Sequence, residues 1–146
     1  ASLPHGGELL GPDHLRVVLD ELAPDRLGHG VRTAEDPHLL DEVVRRGIAL
    51  EVCPDSNVSL GVYPGLAQLP LRTLVDSGAR IALGADDPLL FGPRLTAQYE
   101  HARTVHGLTD DELAGLARSS VAASYASPAA RARMLDGIDA WLRSPA

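Results

Sequence analysis

Several polar side chains of this 146-residue sequence stand directly after short apolar segments, where enzymes commonly hold their reacting groups. Asp86 and Asp87 follow the apolar residues 81–83, and His5 and His29 follow two earlier apolar segments. An ionised carboxylate loses hydration when it is buried, so it normally needs a cation or several hydrogen-bond donors beside it. Carboxylates and imidazoles together suit metal binding and proton transfer. The sequence therefore predicts part of a metal-dependent active site.

Each of these motifs also has a structural alternative. Glu8, three residues after His5, suits a proton donor or acceptor, but it would also complement the dipole of the following helix. His29 has glycines on both sides that allow a close approach, yet a backbone carbonyl would equally satisfy it. One of the two aspartates would cap a helix that begins at Pro88. The other stays unexplained at the end of an apolar strand, so we favour a functional interpretation of the pair.

The polar motifs close the strands of a regular strand–helix alternation. His5, His29 and Cys53 are 24 residues apart, which is the length of one strand–helix unit. Such alternation implies parallel strands joined by right-handed crossovers, with functional groups at the carboxyl ends of the strands. The first predicted strand ends at His5, and the other three cover residues 26–29, 48–53 and 80–85. The predicted helices between and around them cover residues 12–22, 36–47 and 70–78. Four strands are too few for a closed barrel of eight, so the pattern alone leaves an open sheet as an alternative.

The remaining segments carry weaker signals. Residues 54–69 predict a long loop, because turn-forming residues are frequent there. From Arg94 onward the sequence predicts helices, one of them opened by the capping-box pair Thr109 and Glu112, and a last one that follows Pro128 and ends near Trp141. The side chains that we interpret as structural are Glu51, Cys53, the surface histidines His14, His38, His101 and His106, and the acidic helix start Asp110, Asp111 and Glu112.

The overall composition restricts the function. The chain is 45% hydrophobic and 23% charged, which is typical of one globular domain. Its formal net charge of −7 and its aromatic content of 3% argue against a nucleic-acid partner, which needs a basic face or stacking side chains. The single cysteine, Cys53, excludes an intrachain disulfide and sites built on paired cysteines. We find no signal peptide, long apolar run or polybasic segment, so we expect a cytoplasmic protein that binds no membrane.

Four motifs, in their order and spacing, resemble the adenosine deaminase family over residues 3–99. They are His-Gly-Gly-Glu at 5–8, Asp-Arg-Leu-Gly-His-Gly at 25–30, Glu-Val-Cys-Pro-Asp-Ser-Asn at 51–57 and Asp-Asp-Pro-Leu-Leu-Phe at 86–91. Several motifs in sequence are far more specific than any one of them. The resemblance implies an α/β fold, the C-terminal half of a (β/α)8 TIM barrel (strands five to eight) followed by C-terminal helices. Residues 1–146 would be a single partial domain, with the N-terminal half absent.

The resemblance also implies a role for each matching residue. His5 and Asp86 would be ligands of the single Zn²⁺ of a complete site. Glu8 would donate a proton to the ring nitrogen beside the amino-bearing carbon of a purine. His29 and Asp87 would orient and deprotonate the attacking water. The implied reaction is hydrolytic deamination, in which water attacks the purine carbon and ammonia leaves.

Substrate contacts and departures from the family follow from the same resemblance. Gly7 would bring backbone close to the purine, and Asp87 would also contact the substrate. The family's His-x-His pair of zinc ligands is absent here, and two protein ligands instead of the usual three or four should weaken zinc binding greatly. A half-barrel would expose unpaired backbone on both edge strands and the apolar faces meant for the missing half. We therefore expect little or no activity from the chain alone, which would aggregate, self-associate into a closed barrel or need the missing N-terminal half.

A small purine nucleoside is the partner that the resemblance implies, with adenosine first, giving inosine and ammonia. The Gly-Gly pair at 6–7 and the Gly-Ala pair at 84–85 resemble actinobacterial members, some of which deaminate aminodeoxyfutalosine in menaquinone biosynthesis. Free adenine is the third candidate. Two other classes stay open: another metal-dependent amidohydrolase that cleaves a ring amide or ester, and an inactive fragment that serves as an interaction module. Glu8 favours a substrate with a ring nitrogen to protonate.

Overall fold

The four predicted strands and the helices between them are present in the structure. The structure is a computed structural model and describes residues 1–144. The strands are β1 (His5–Gly6), β2 (Arg26–His29), β3 (Ala49–Val52) and β4 (Arg80–Leu83), and the helices are α1 (Pro12–Leu22), α2 (Pro37–Arg46), α3 (Pro54–Ser59), α4 (Leu71–Asp76), α5 (Pro88–Phe91), α6 (Leu95–Thr104), α7 (Asp110–Ala123) and α8 (Pro128–Arg143). Among residues 1–144, no helix combines the length and the apolar character that crossing a membrane requires.

The strands form one parallel sheet in the order β1-β2-β3-β4, as the strand–helix alternation predicts. Leu27, Leu50 and Ile81 are direct neighbours across β2, β3 and β4, and all three are fully buried. Leu15 of α1 and Leu71 of α4 join them in one hydrophobic core. Because every crossover returns the chain in the same direction, the residues that end the strands become neighbours at one edge of the sheet.

The predicted loop over residues 54–69 is wrong in part, since this segment contains helix α3 and a short 3-10 helix (Leu66–Gln68). The first residue of α3 is proline, whose fixed φ suits that position and whose missing N–H costs nothing there. Ser56 and Asn57 favour turns in isolation, but here their side chains are buried and bonded to other elements. Tertiary contacts therefore stabilise a helix that local propensity does not indicate.

The ends of the later helices follow their side-chain signals. Thr109 and Glu112 form both halves of the predicted capping box at the start of α7. Arg72 of α4 bonds the same Glu112 carboxylate at 2.5 Å, and these contacts lower the pKa of Glu112 to about 2. The acidic start of α7 is thus structural, as expected. Helix α8 begins after the capping Ser127 and extends to Arg143, slightly beyond the predicted end.

The face of the sheet opposite the core differs from the apolar surface that we expected. Its alternate strand positions hold only small or charged residues, and Arg26 Nε pairs with Glu51 Oε1 at 3.0 Å. The four most exposed leucines lie instead in the segments that follow Glu8 and Asp87. The residues of the sheet face are Arg26, Gly28, Ala49, Glu51, Arg80 and Ala82, and the four most exposed leucines are Leu9, Leu10, Leu89 and Leu90.

The outer strands of the sheet each have one unpaired edge. Within residues 1–144, β1 pairs only with β2 and β4 pairs only with β3. An unpaired strand edge is a template for pairing with further chain, and exposed apolar side chains add to that tendency.

We therefore expect the purified 15.4 kDa chain to elute in size-exclusion chromatography as dimers or larger species. Its zinc content should be well below one ion per chain, because too few protein ligands are available. Light scattering on the eluting peak and metal analysis of the same fractions measure both quantities. A zinc-loaded monomer of 15.4 kDa would contradict this prediction.

Candidate active site

The carboxyl ends of the strands bring together side chains from all of the predicted motifs. His29 ends β2, and its Nε2 lies 3.3 Å from Glu8 Oε1 and 3.8 Å from Asp86 Oδ2. The ring of His5, which belongs to β1, has its centroid 5.5 Å from that of His29. Imidazoles and carboxylates from three strand ends thus face one another, although their roles in a reaction stay predictions.

His29 is the buried centre of this group, with 4% of its surface exposed. Burial lowers the pKa of His29, while the carboxylates of Glu8 and Asp86 act in the opposite direction. Because the lowering effect is larger, the neutral imidazole is favoured near neutral pH. Its backbone has a φ of 66°, in the left-handed region that side chains other than glycine rarely adopt. Residues held in such conformations often lie in functional sites.

Two glycines of the site are explained by backbone conformation and packing. Gly7 and Gly30 have φ values of 66° and 67°. A Cβ atom on Gly30 would lie 2.5 Å from a methyl carbon of Leu50, and one on Gly7 would lie 2.7 Å from Leu15 Cδ1. Both positions therefore exclude a larger residue. The predicted approach of Gly7 to a purine stays a prediction.

The two adjacent aspartates have different surroundings. Asp86 has a positive φ of 54°, and its carboxylate accepts a hydrogen bond of 2.6 Å from Ser56 Oγ while it faces His29. Asp87 is exposed and caps α5, since its carboxylate accepts from the N–H of Leu89 at 2.9 Å. The capping alternative is therefore correct for Asp87. The cap uses Oδ1 of Asp87 and leaves Oδ2 for other contacts. The predicted catalytic and substrate-binding role of Asp87 therefore stays a prediction.

The first turn of α3 supplies site residues that the sequence analysis did not select. Ser56 and Asn57 are buried, and they bond Asp86 and His29 respectively. They follow the end of β3 just as Glu8 and Asp87 follow the ends of β1 and β4. The signal that could have found them is this position after a strand, which the prediction of a loop obscured.

Two histidines that we interpreted as surface residues are partly buried. His101 Nε2 lies 3.3 Å from Oδ2 of Asp55, a residue of α3, so this histidine contacts the first turn of that helix. The pKa of His106 is lowered by burial, and its Nε2 is buried without a hydrogen-bond partner among the described residues. Their helices pack against the rest of the domain, which sequence periodicity alone did not reveal. His14 and His38 are exposed, as predicted.

The donors at this edge of the sheet fit a transition metal in type and spacing. One donor atom each from His29, Cys53 and Asp86 lies within 4.8 Å of the other two, and imidazole, sulfur and carboxylate are all ligands of Zn²⁺. Burial raises the pKa of the Cys53 thiol to about 12, which keeps it neutral near neutral pH. This agrees with the interpretation of Cys53 as a buried structural residue. His5 is not within this close group, but its ring is adjacent to that of His29.

Sequence comparison finds relatives over almost the whole chain. A Streptomyces coelicolor protein named "Putative adenosine/adenine deaminase" is 57% identical over 97% of this chain and 41% of its own length. An aminodeoxyfutalosine deaminase of the same organism is 39% identical over 98% of this chain and 38% of its own length. The chain thus spans about two fifths of the length of the curated relatives it matches.

Solved structures agree with this result. An adenine deaminase from Arthrobacter aurescens has a TM-score of 0.91 and 32% identity, over 97% of this chain and 43% of that chain. A Burkholderia ambifaria amidohydrolase with bound Zn has a TM-score of 0.80 at 24% identity, over 96% of this chain and 42% of that chain, and shows the likeness of fold alone. The four parallel strands and their helices are thus a partial barrel. The adenosine deaminase family model matches residues 1–141, and the chain belongs to that family.

Proposed function

We propose that this chain supplies the C-terminal half of a hydrolytic deaminase site that acts on an adenine ring. The observation that carries the proposal is the meeting of Glu8, His29 and Asp86, with the imidazole Nε2 3.3 Å from one carboxylate and 3.8 Å from the other. An acid, a base and a metal ligand are the groups that replacement of a ring amino group by oxygen needs. The N-terminal half of the site would come from further chain, because this sequence covers about two fifths of its relatives.

In the proposed reaction, Glu8 donates a proton to the ring nitrogen beside the amino-bearing carbon. That carbon then becomes more electrophilic, and a water oxygen attacks it. His29 and Asp87 orient the water and accept its proton. The proton accepted from water passes to the amino group, the carbon–nitrogen bond breaks and ammonia leaves. The hydroxyl proton returns to Glu8 as the carbonyl forms, so one water is consumed and the ring gains one oxygen. Gly7 would bring its backbone close to the purine.

Zinc is the metal that we propose for this site. His5 and Asp86 would hold it from this chain, next to the imidazole of His29. When bound, Zn²⁺ would supply a water molecule whose pKa is lowered to about 7, so that a nucleophile exists at neutral pH. The close donor group around His29 supports a metal at this position, and its imidazole and carboxylate donors are of the types that Zn²⁺ binds.

Three adenine-bearing substrates are candidates. Adenosine and adenine gain support from the name of the Streptomyces coelicolor relative and from the Arthrobacter aurescens adenine deaminase. Aminodeoxyfutalosine has support from the other Streptomyces coelicolor relative, at lower sequence identity. We propose adenosine or adenine as the physiological substrate. The relative named for both is 57% identical to this chain, against 39% for the aminodeoxyfutalosine deaminase, and the adenine deaminase structure has a TM-score of 0.91.

A chimeric enzyme tests the proposed function. In it, this chain replaces the matched region of the Streptomyces coelicolor relative that is 57% identical. We expect the chimera to release ammonia from adenosine or adenine faster than from aminodeoxyfutalosine, and the chain alone to release little. The unmodified relative is the matched control. A folded chimera without turnover on any of the three, beside an active control, would favour the inactive-fragment alternative. Hydrolysis of cyclic amides or esters instead would favour another amidohydrolase.

A further inference from the structure

We propose that Asn57 is the positioning residue of His29: it holds the imidazole through Nδ1, so that Nε2 faces Glu8 and Asp86. The Nδ2 atom of Asn57 lies 3.3 Å from His29 Nδ1, and the Asn57 side chain is fully buried. On the other side of the ring, Nε2 faces the two carboxylates. The two nitrogens of one ring thus have separate partners. The geometry is independent of the proposed function, whereas its consequence for catalysis rests on that function.

A buried asparagine needs a reason, because an amide without hydrogen bonds is costly to remove from water. Asn57 Oδ1 has no hydrogen-bond partner among the described residues. Within that part of the chain, the side-chain amide of Asn57 therefore makes a single contact, with His29. Asn57 Nδ2 can only donate, so the contact requires a bare Nδ1 and places the proton of the neutral ring on Nε2, which faces the two carboxylates. Asn57 therefore holds both the orientation of the ring and its tautomer.

The helix that carries Asn57 is itself fixed from both sides. Asp55 accepts a hydrogen bond of 2.7 Å from Nε2 of the fully buried Gln98 of α6, and its own N–H donates to Gln98 Oε1 at 3.3 Å. Ser56 Oγ donates to Asp86 at 2.6 Å. Three consecutive residues of α3 thus bond α6, the segment after β4 and the end of β2. This arrangement makes α3 a rigid support for the site.

Nuclear magnetic resonance of the chimeric enzyme, with ¹⁵N in its histidines, tests the inference without any assay of activity. At a pH well above about 6.5, the ordinary histidine pKa, the ring is neutral and its two nitrogens give separate ¹⁵N shifts if one tautomer is held. We expect separate shifts for His29 in the unsubstituted chimera. In Asn57→Leu the shifts should converge, because the tautomers then exchange. In Asn57→Asp they should stay separate with the proton on Nδ1, since a carboxylate can only accept.

Either substitution can overturn the inference. Separate, unchanged shifts in Asn57→Leu would show that other contacts hold the ring. If that variant does not fold by circular dichroism, Asn57→Asp still decides, because a bare Nδ1 in this variant would contradict a bond to residue 57. Neither outcome depends on whether the protein is a deaminase.

The consequence for catalysis is measured in the chimeric enzyme. Misplacing a reacting group by about 1 Å can cost 10²-fold in rate, so Asn57→Leu should lower kcat by about 10–100-fold and leave KM within about threefold. Asn57→Asp should recover part of the loss, because it restores a partner for Nδ1. Ser59→Ala, an exposed position of the same helix, is the control and should change neither constant. Equal losses in kcat for the Leu and Asp variants would contradict a positioning role.

Discussion

Replacing Glu8 with glutamine is expected to remove deamination while the bound metal stays in place. Glutamine keeps the size of the side chain and one oxygen near His29, but it has no acidic proton to transfer to a ring nitrogen. Loss of a general acid typically costs about 10²–10⁴-fold in rate, so kcat of the chimeric enzyme should fall by that factor. The Glu8 side chain is largely buried beside His29, so bulk water is poorly placed to replace the acid.

Ammonia release and zinc content, measured on the same preparation, check this prediction. Glu21→Gln is a matched control, because Glu21 is an exposed glutamate at the end of α1 and belongs to none of the motifs. It should leave both quantities unchanged. Normal turnover in Glu8→Gln would reject Glu8 as the proton donor. A parallel loss of zinc would instead place Glu8 among the residues that hold the metal.

Replacing Asp86 with asparagine should remove the metal from the same enzyme. The amide keeps the shape and can still accept the hydrogen bond from Ser56 Oγ, but it lacks the negative charge that a zinc ligand supplies. Loss of a partner that merely orients a ligand already costs about 10–100-fold in metal affinity, so loss of the ligand itself should exceed that range. Turnover should fall with the zinc occupancy.

Competition with a chelator of known affinity measures this effect. The adjacent Asp87→Asn is a matched control for zinc content, because it removes the same charge from a carboxylate that caps α5. That variant should keep its zinc even if turnover falls. Equal zinc affinity in Asp86→Asn and the parent would assign the metal to other donors, with Cys53 and His29 the nearest, and would reject Asp86 as a ligand.

The sequence by itself determined the parts of this protein that depend on local patterns. The spacing of His5, His29 and Cys53 predicted the repeating strand–helix unit, since each crossover needs a similar length of chain. Thr109 and Glu112 predicted the start of α7, because a capping box is made within four residues. The order of the motifs predicted the family, and the parallel sheet predicted that their side chains would meet.

Tertiary structure alone decided how those side chains are held. Asn57 and His29 are 28 residues apart, Ser56 and Asp86 are 30 apart, and Asp55 and Gln98 are 43 apart, so no local pattern encodes their contacts. The same contacts turned a predicted loop into α3. Free energy from burial and hydrogen bonds between distant segments outweighed the turn preference of serine and asparagine, and such energy exists only once the sheet has assembled.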